Sequence, residues 1–194
     1  MSGATHNPFS SARVQPGALP FFLPRGISLS ELLRRFADAS RRGQIVGRHG
    51  AGKSSLLARL GQAARADGQT VWEGVAEEAE RLRTLPGATT LFIDGAERLP
   101  PYRFAKFRRR CIGAAAGLLV TAHRDAGLPT LWRAEPDLSL ARHVVDHLLA
   151  EWESVRVPEP LLDTLFRRRE GNLRLVLFDL YDWYEDGFAE MRPE

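Results

Sequence analysis

The chain has 194 residues and a mass of 21.7 kDa, with 44% hydrophobic, 26% charged and 9% aromatic residues. That composition excludes disordered, collagenous and small disulfide-stapled proteins, and the length suits one domain with a small appendage. Cys111 is the single cysteine, which excludes an intrachain disulfide or a cysteine-cluster metal site. The net charge is +3, and among 27 lysines and arginines only Lys53 and Lys106 are lysine; arginine-rich codon usage explains that skew without a nucleic-acid partner.

The first eight residues hold neither a basic nor an apolar stretch, and no apolar run approaches the ~18 residues a membrane span needs, so a cytoplasmic location is expected. Pro8, Pro16, Pro20 and Pro24 argue against regular helix in residues 1–25 and predict an extended segment anchored by Asn7-Pro8-Phe9 and Phe21-Phe22-Leu23. A first helix is signalled by Ser28 with Glu31 three residues on, then by Leu29, Leu32, Leu33 and Phe36 on one face, with Gly43 as its stop. Gln44-Ile45-Val46 reads as a short strand. It runs into a glycine-rich loop, and Leu56, Leu57 and Leu60 then mark a helix.

Further strands are expected at Thr70-Val71-Trp72, Thr90 to Asp94, Gly117 to Thr121 and Thr130-Leu131-Trp132, with helices near Glu77 to Leu85 and Arg103 to Cys111. This alternation implies a three-layer α/β fold, a mostly parallel sheet covered on both faces. From about Leu138 the pattern is helical. The last helix carries Leu173, Val176, Leu177, Leu180, Tyr181 and Tyr184 at spacings of three and four, a stripe that must pack on something.

The loop Gly47-Arg48-His49-Gly50-Ala51-Gly52-Lys53-Ser54 matches G-x-x-x-x-G-K-[ST] at every fixed position, between a strand and a helix. Glycines there let backbone N–H groups turn inward around a β-phosphate, and the helix N-terminus adds its positive dipole end. Lys53 would reach the β/γ oxygens. The Ser54 hydroxyl would take a Mg²⁺ site, and Ser55 completes the cofactor-binding run. A chain that writes arginine almost everywhere has kept lysine where a compact ammonium is needed. Leu91-Phe92-Ile93-Asp94 supplies a second element, an acid at the carboxyl end of an apolar strand that can hold the Mg²⁺ shell; by itself it is also an ordinary Asp-Gly turn. Loop and acid together point to nucleotide with Mg²⁺.

With these motifs in place, the sequence resembles the additional-strand P-loop NTPases of the AAA+ superfamily, most closely the compact ExeA-like ATPases. The resemblance takes in Asn-Pro-Phe near the start, the loop, Leu-Phe-Ile-Asp-Gly-Ala-Glu, Leu-Leu-Val-Thr-Ala-His, and Gly-Asn-Leu-Arg opening the last helix. It implies ATP as the cofactor, Lys53 and Ser54 in Walker A, Asp94 in Walker B, Thr121 or His123 as a sensor, and Arg174 as a lid arginine approaching the γ-phosphate. It divides the chain into an extended segment 1–27, a P-loop core 28–136 and a helical lid 137–194. An unidentified protein partner is expected, with further copies of the chain and, on weaker support, nucleic acid as the alternatives; the sequence names none of them.

The departures bear on turnover. Where the family places a glutamate after the Walker B aspartate, this chain has Gly95; Glu97 is the remaining candidate base for the attacking water. The short stretch between the Thr121 and Thr130 strands leaves Arg124 as the candidate arginine finger, against a plainer reading as a solvated loop residue. The expected function is therefore a slow Mg-ATPase that couples nucleotide state to conformational change, with a nucleotide-gated interaction module as the alternative. A small-molecule kinase ranks third, with Arg108 to Arg110 as its one nearby arginine cluster.

Other features read more simply. Arg103 to Arg110 mixes cations and aromatics and could track a phosphate backbone, yet Phe104 and Phe107 at helical spacing more simply face the core while the cations face water. His143 and His147 stand one turn apart without the glutamate of H-E-x-x-H and read as helix surface. Arg167-Arg168-Arg169 complements a helix C-terminus. The acidic tail from Asp179, with Trp183 and Phe188, reads equally as a docking surface and as a frayed end.

Overall fold

The computed structural model describes residues 7–15, 21–23, 26–85, 89–152 and 155–188. In chain order the elements are α1 (Ser11–Val14), α2 (Leu29–Asp38), β1 (Arg42–Gly47), α3 (Lys53–Ala66), β2 (Val71–Val75), α4 (Ala76–Arg81) and β3 (Thr90–Asp94). A 3-10 turn (Ala96–Arg98) then leads to α5 (Pro101–Gly113), β4 (Gly117–Ala122), β5 (Thr130–Ala134), α6 (Leu138–Leu148), α7 (Glu159–Arg168) and α8 (Leu173–Phe188). Contacts within the chain define two compact units. One, the sheet unit, takes Leu23–Arg48 and Gly52–Ala134; the other, the helical unit, takes the described parts of Met1–Phe22, His49–Ala51 and Glu135–Glu194.

The sheet unit is built on five parallel strands in the order β2-β3-β4-β1-β5. The three central strands, β3, β4 and β1, are buried runs rather than alternating ones, because helices cover both faces. On one face Leu91 and Ile93 of β3 and Leu118 and Val120 of β4 pack with Phe104, Phe107 and Cys111 of α5 and Ala76 and Ala79 of α4. On the other, Phe92 meets Phe36 of α2 edge to face, with ring centroids 6.2 Å apart. The result is the expected three-layer α/β arrangement. Phe104 and Phe107 are buried while Arg103, Lys106, Arg109 and Arg110 are exposed, the solvated-face pattern.

Three expectations change here. The first helix ends at Asp38, not at Gly43: Ser40 and Arg41 both adopt positive φ and turn the chain straight into β1. Gly43 lies inside β1, where a Cβ would fall 2.6 Å from Leu131 Cδ1, so glycine is kept for close packing against β5. The helix expected to reach Leu85 ends at Arg81, since Leu82 leaves helical geometry and packs, with Leu85, against the α4–α5 core. Of the capping box only half forms: Ser28 Oγ accepts from the Glu31 N–H, while the Glu31 carboxylate takes Arg34 and Arg35.

In the helical unit Phe9, Val145, Leu148, Leu162, Val176, Leu177 and Leu180 form a core to which α6, α7 and α8 contribute. The N-terminal stretch is not wholly extended, because α1 forms at Ser11–Val14. Pro8 precedes this turn of helix and leaves its interior clear, and just before it Asn7 Oδ1 accepts the Phe9 N–H. Residues 1–6, 16–20 and 24–25, with Pro16, Pro20 and Pro24, lie outside the described residues, as do 189–194. Along α8, Val176, Leu177 and Leu180 are buried as the stripe requires, but Tyr181 is exposed. Trp183 is half-buried against this core rather than presented for docking. Phe188, the other residue of that expected surface, ends α8, and its side chain lies outside the described set. Arg169, read from sequence as serving the α7 dipole alone, donates to both carboxylate oxygens of Asp179, at 2.7 and 2.5 Å.

Candidate functional site

The carboxyl end of β1 passes into the glycine loop at Gly47, where β5 runs so close that a Cβ would lie 2.5 Å from the Ala134 carbonyl oxygen. Gly52 at φ +83° caps α3, a left-handed conformation that excludes most other residues. Lys53 opens α3. Its side chain is buried, and Nζ donates to the Arg48 carbonyl at 2.8 Å, folding back along its own loop. Ser55 follows in the first turn of α3, half-buried. The loop tip, His49–Ala51, groups with the helical unit. There Gly50, at φ +71°, lies against Asn172 so tightly that a Cβ would fall 1.7 Å from the amide oxygen.

Ser54 and Asp94, forty positions apart, meet. Ser54 Oγ lies 2.9 Å from each carboxylate oxygen of Asp94. Thr121, at the end of the adjacent β4, donates from Oγ1 to Asp94 Oδ1 at 2.6 Å and accepts the Gly95 N–H at 2.8 Å. The parallel register explains the meeting, because β3 and β4 pair from Thr90 with Gly117 onward and so end side by side. Gly95 adopts φ +80°, which turns the chain into the 3-10 turn directly after the acid.

Glu97, the candidate base, and His123, the alternative sensor, find each other. His123 Nε2 lies 3.2 Å from Glu97 Oε1. Both line a cavity of about 430 Å³ with Leu99, Phe104, Arg108 and Arg124 among its walls. Thus Thr121, not His123, is the residue in contact with Asp94. Arg124 is exposed on the loop after β4. Arg174, one residue into α8, is exposed in the helical unit.

Gln44 was invisible as a site-building residue in the sequence. Buried in β1, it donates from Nε2 to Asp125 Oδ1 and Thr130 Oγ1 at 2.8 and 2.9 Å, and accepts the Ala126 N–H at 2.7 Å. It therefore pins the β4–β5 connection that carries His123 and Arg124. The Gln44 amide, and after it the Gly127 N–H, hold the Asp125 carboxyl below the usual aspartate range. A buried polar residue in an apolar strand was the one available signal, since such a group needs partners. His143 and His147 are exposed, with Phe22 set edge-on to both rings at 4.5 and 5.5 Å, and no cluster of potential metal ligands occurs among the described residues.

A glycine loop between β1 and α3, an acid ending β3, and β4 inserted between those two strands give the arrangement of a P-loop NTPase fold. No family model and no curated protein matches the sequence. Among solved structures, the chain is similar to AMPPCP-bound DnaA from Aquifex aeolicus, with a TM-score of 0.58 and 16% identity over 88% of this chain and 67% of that one. It is also similar to a DNA replication initiation factor (TM-score 0.51, 17% identity, 88% and 66% covered) and to replication initiator DnaA bound to AMPPCP and single-stranded DNA (0.51, 15%, 88% and 67%). At such identities the likeness is one of fold. No helix among the described residues is long and apolar enough to cross a membrane.

Proposed function

We propose that this chain binds Mg-ATP and hydrolyses it slowly, coupling nucleotide state to conformational change. The observation that carries this reading is the contact of Ser54 Oγ with both oxygens of Asp94, which joins the two halves of a phosphate–metal site that the sequence keeps forty residues apart. AMPPCP in the DnaA neighbours supports adenine nucleotide as the ligand class. A hydroxyl and a carboxylate at one point are the oxygen donors a hard divalent cation takes, so the residues fit Mg²⁺. Ser54 and Asp94 would hold it, and when bound it supplies neutralisation of β- and γ-phosphate charge.

In this reading the backbone of Gly50 to Lys53, within the run from Gly47 to Ser55, cradles the phosphates. The Lys53 ammonium turns from the Arg48 carbonyl to the γ-phosphate. Thr121 fixes the orientation of Asp94, and Arg174 reports occupancy to the helical unit, as the ExeA-like resemblance implies. Glu97 is the base for water, with His123 as its hydrogen-bond partner.

A specific observation favours the second reading, a nucleotide-gated interaction module with little turnover. The residue after Asp94 has no side chain, and the Glu97 carboxylate is engaged by His123 in a cavity wall. ATP binding and phosphate release measured on one sample with Mg²⁺ separate the two. Turnover that is lost in Glu97→Gln while binding survives supports the ATPase; tight binding without release supports the module; absence of ATP binding overturns both.

A further inference from the structure

A concave site lies in the sheet unit, bounded by α5 and the β4–β5 connection. Pro101, Phe104, Ala105 and Arg108 recur at helical spacing, so one face of α5 makes a wall of the cavity of about 430 Å³. Leu99 and the 3-10 turn make another, and Ala122 to Ala126 a third. Ser54, Asp94 and Thr121 are not among its walls; Glu97 and His123 are what it shares with the nucleotide reading. Small organic molecules are held in cavities of roughly 300–1,000 Å³.

The walls are braced. Gln44 of β1 holds Asp125 and Ala126, and Arg108 donates to the Gly127 carbonyl at 2.7 Å, which ties α5 to the same connection. Two sides of the cavity are thereby fixed relative to each other before any ligand arrives, and that lowers the ordering cost of binding. The inner surface is apolar, since Ala96, Leu99, Phe104 and Ala122 are all buried. Glu97, Pro101, Arg124 and Asp125 are exposed and mark the side open to water.

At that mouth the acids already have donors and the cations have no acid. His123 Nε2 lies 3.2 Å from Glu97, and Asp125 accepts from Gln44 and from the Gly127 N–H. Arg108 meets a carbonyl alone, and Arg124 makes no hydrogen bond or ion pair among the described residues. We infer that this cavity binds a small apolar carboxylic acid, its hydrocarbon body against Leu99 and Phe104 and its carboxylate at Arg108 and Arg124. A planar guanidinium fork offers two N–H donors to the two oxygens of a carboxylate. A neutral molecule of the same shape gains the apolar contacts without those charge-assisted bonds, and an inorganic anion would use the arginines while leaving the apolar wall wet. An amine would face two arginines.

Titration calorimetry of the full chain, without nucleotide or divalent metal, tests this separately from the ATP reading. The probe is 3-phenylpropanoate, with 3-phenylpropanol and 3-phenylpropylamine as its neutral and cationic counterparts. The acid should bind at roughly 0.1–1 mM. The alcohol and the amine should bind about tenfold or more weakly. Arg124→Gln should weaken the acid about three- to tenfold, because one charged fork is lost. Ala105→Phe fills the cavity from α5 and should abolish binding, whereas Arg109→Gln, exposed on the same helix and outside the cavity, should leave it unchanged. Saturating acid should also raise the wild-type melting temperature. Arg124 is exposed and unpaired among the described residues, so its variant should melt with the wild type and decides the matter even if Ala105→Phe does not fold. No binding of the acid at several millimolar, an alcohol or amine that binds as tightly, wild-type affinity in Arg124→Gln, or a folded Ala105→Phe that still binds would each overturn the proposal.

Discussion

The sheet unit and the helical unit are organised by different forces. At the sheet's carboxyl edge Ser54, Asp94, Thr121 and the Gly95 N–H form a closed set of polar contacts, each group placed by a strand end or a helix start. The helical unit is held chiefly by apolar contact among Phe9, Val145, Leu162, Val176 and Leu180, with Arg169–Asp179 as a polar clasp, and it leaves part of α8 bare. Polar sets of this kind need geometry fixed to a few tenths of an ångström, which a parallel sheet supplies. Apolar cores tolerate rearrangement so long as volume is conserved. If the proposed nucleotide site is right, the polar set of the sheet unit is the part suited to hold the ligand.

The sharpest way to break this contrast is Lys53→Ala. If the sheet edge is the ligand-holding part, ATP affinity should fall by about 100-fold or more while the melting temperature stays put, since a buried ammonium serving phosphate is replaced by a good helix former. Unchanged affinity in a titration calorimeter would remove the basis of the contrast.

Phe92→Ala and Phe9→Ala probe the two cores at equal chemistry. Each empties a fully buried site and should cost about 3–5 kcal/mol. Hydrogen exchange should show lost protection in β3 and β4 for the first and in α6 to α8 for the second. If the same amides open in both variants, the two units unfold as one.

Thr121→Val is a smaller change aimed at the polar set. It leaves the Gly95 N–H buried without its acceptor and leaves Asp94 Oδ1 with Ser54 alone, a loss of about 1–3 kcal/mol by thermal denaturation. ATP affinity should drop with it, whereas a purely structural threonine would alter stability alone.

The smallest effect concerns the clasp. Hydrogen bonds from Arg169 hold the Asp179 carboxyl below the usual aspartate range. Its contribution is therefore complete above the pH where an unfolded-chain aspartate ionises, and is lost as pH falls through the lowered value. Asp179→Asn should flatten the acid side of the melting-temperature profile and leave the neutral value slightly reduced. An unchanged acid limb would show that the clasp does not contribute to the helical unit's stability.

Much of this was legible in the residues. The glycine loop, the acid-ended strand and the alternation of apolar runs are local patterns, and local patterns dictate local structure: β3 runs over Thr90–Asp94 as read, and Phe104 and Phe107 turn inward by helical spacing alone. Signals that depend on what lies opposite were misread. Gly43 has the look of a helix stop, yet its role is set by Leu131 on a strand nearly ninety positions away. Tyr181 belongs to the apolar stripe by spacing, yet stays exposed while its neighbour Leu180 is fully buried. Arg169 seemed explained by its own helix end until Asp179 stood opposite it.

The amino-acid sequence determined the class of fold and the position of the glycine loop, because backbone conformation at glycines and hydrophobic periodicity are written in neighbouring residues. Tertiary structure alone decided that Ser54, Asp94 and Thr121 converge, that Glu97 pairs with His123, and that Gln44 secures the β4–β5 loop. Each of those depends on strand order and register, which bring together residues separated by tens of positions, and no single stretch of chain encodes the distance between them.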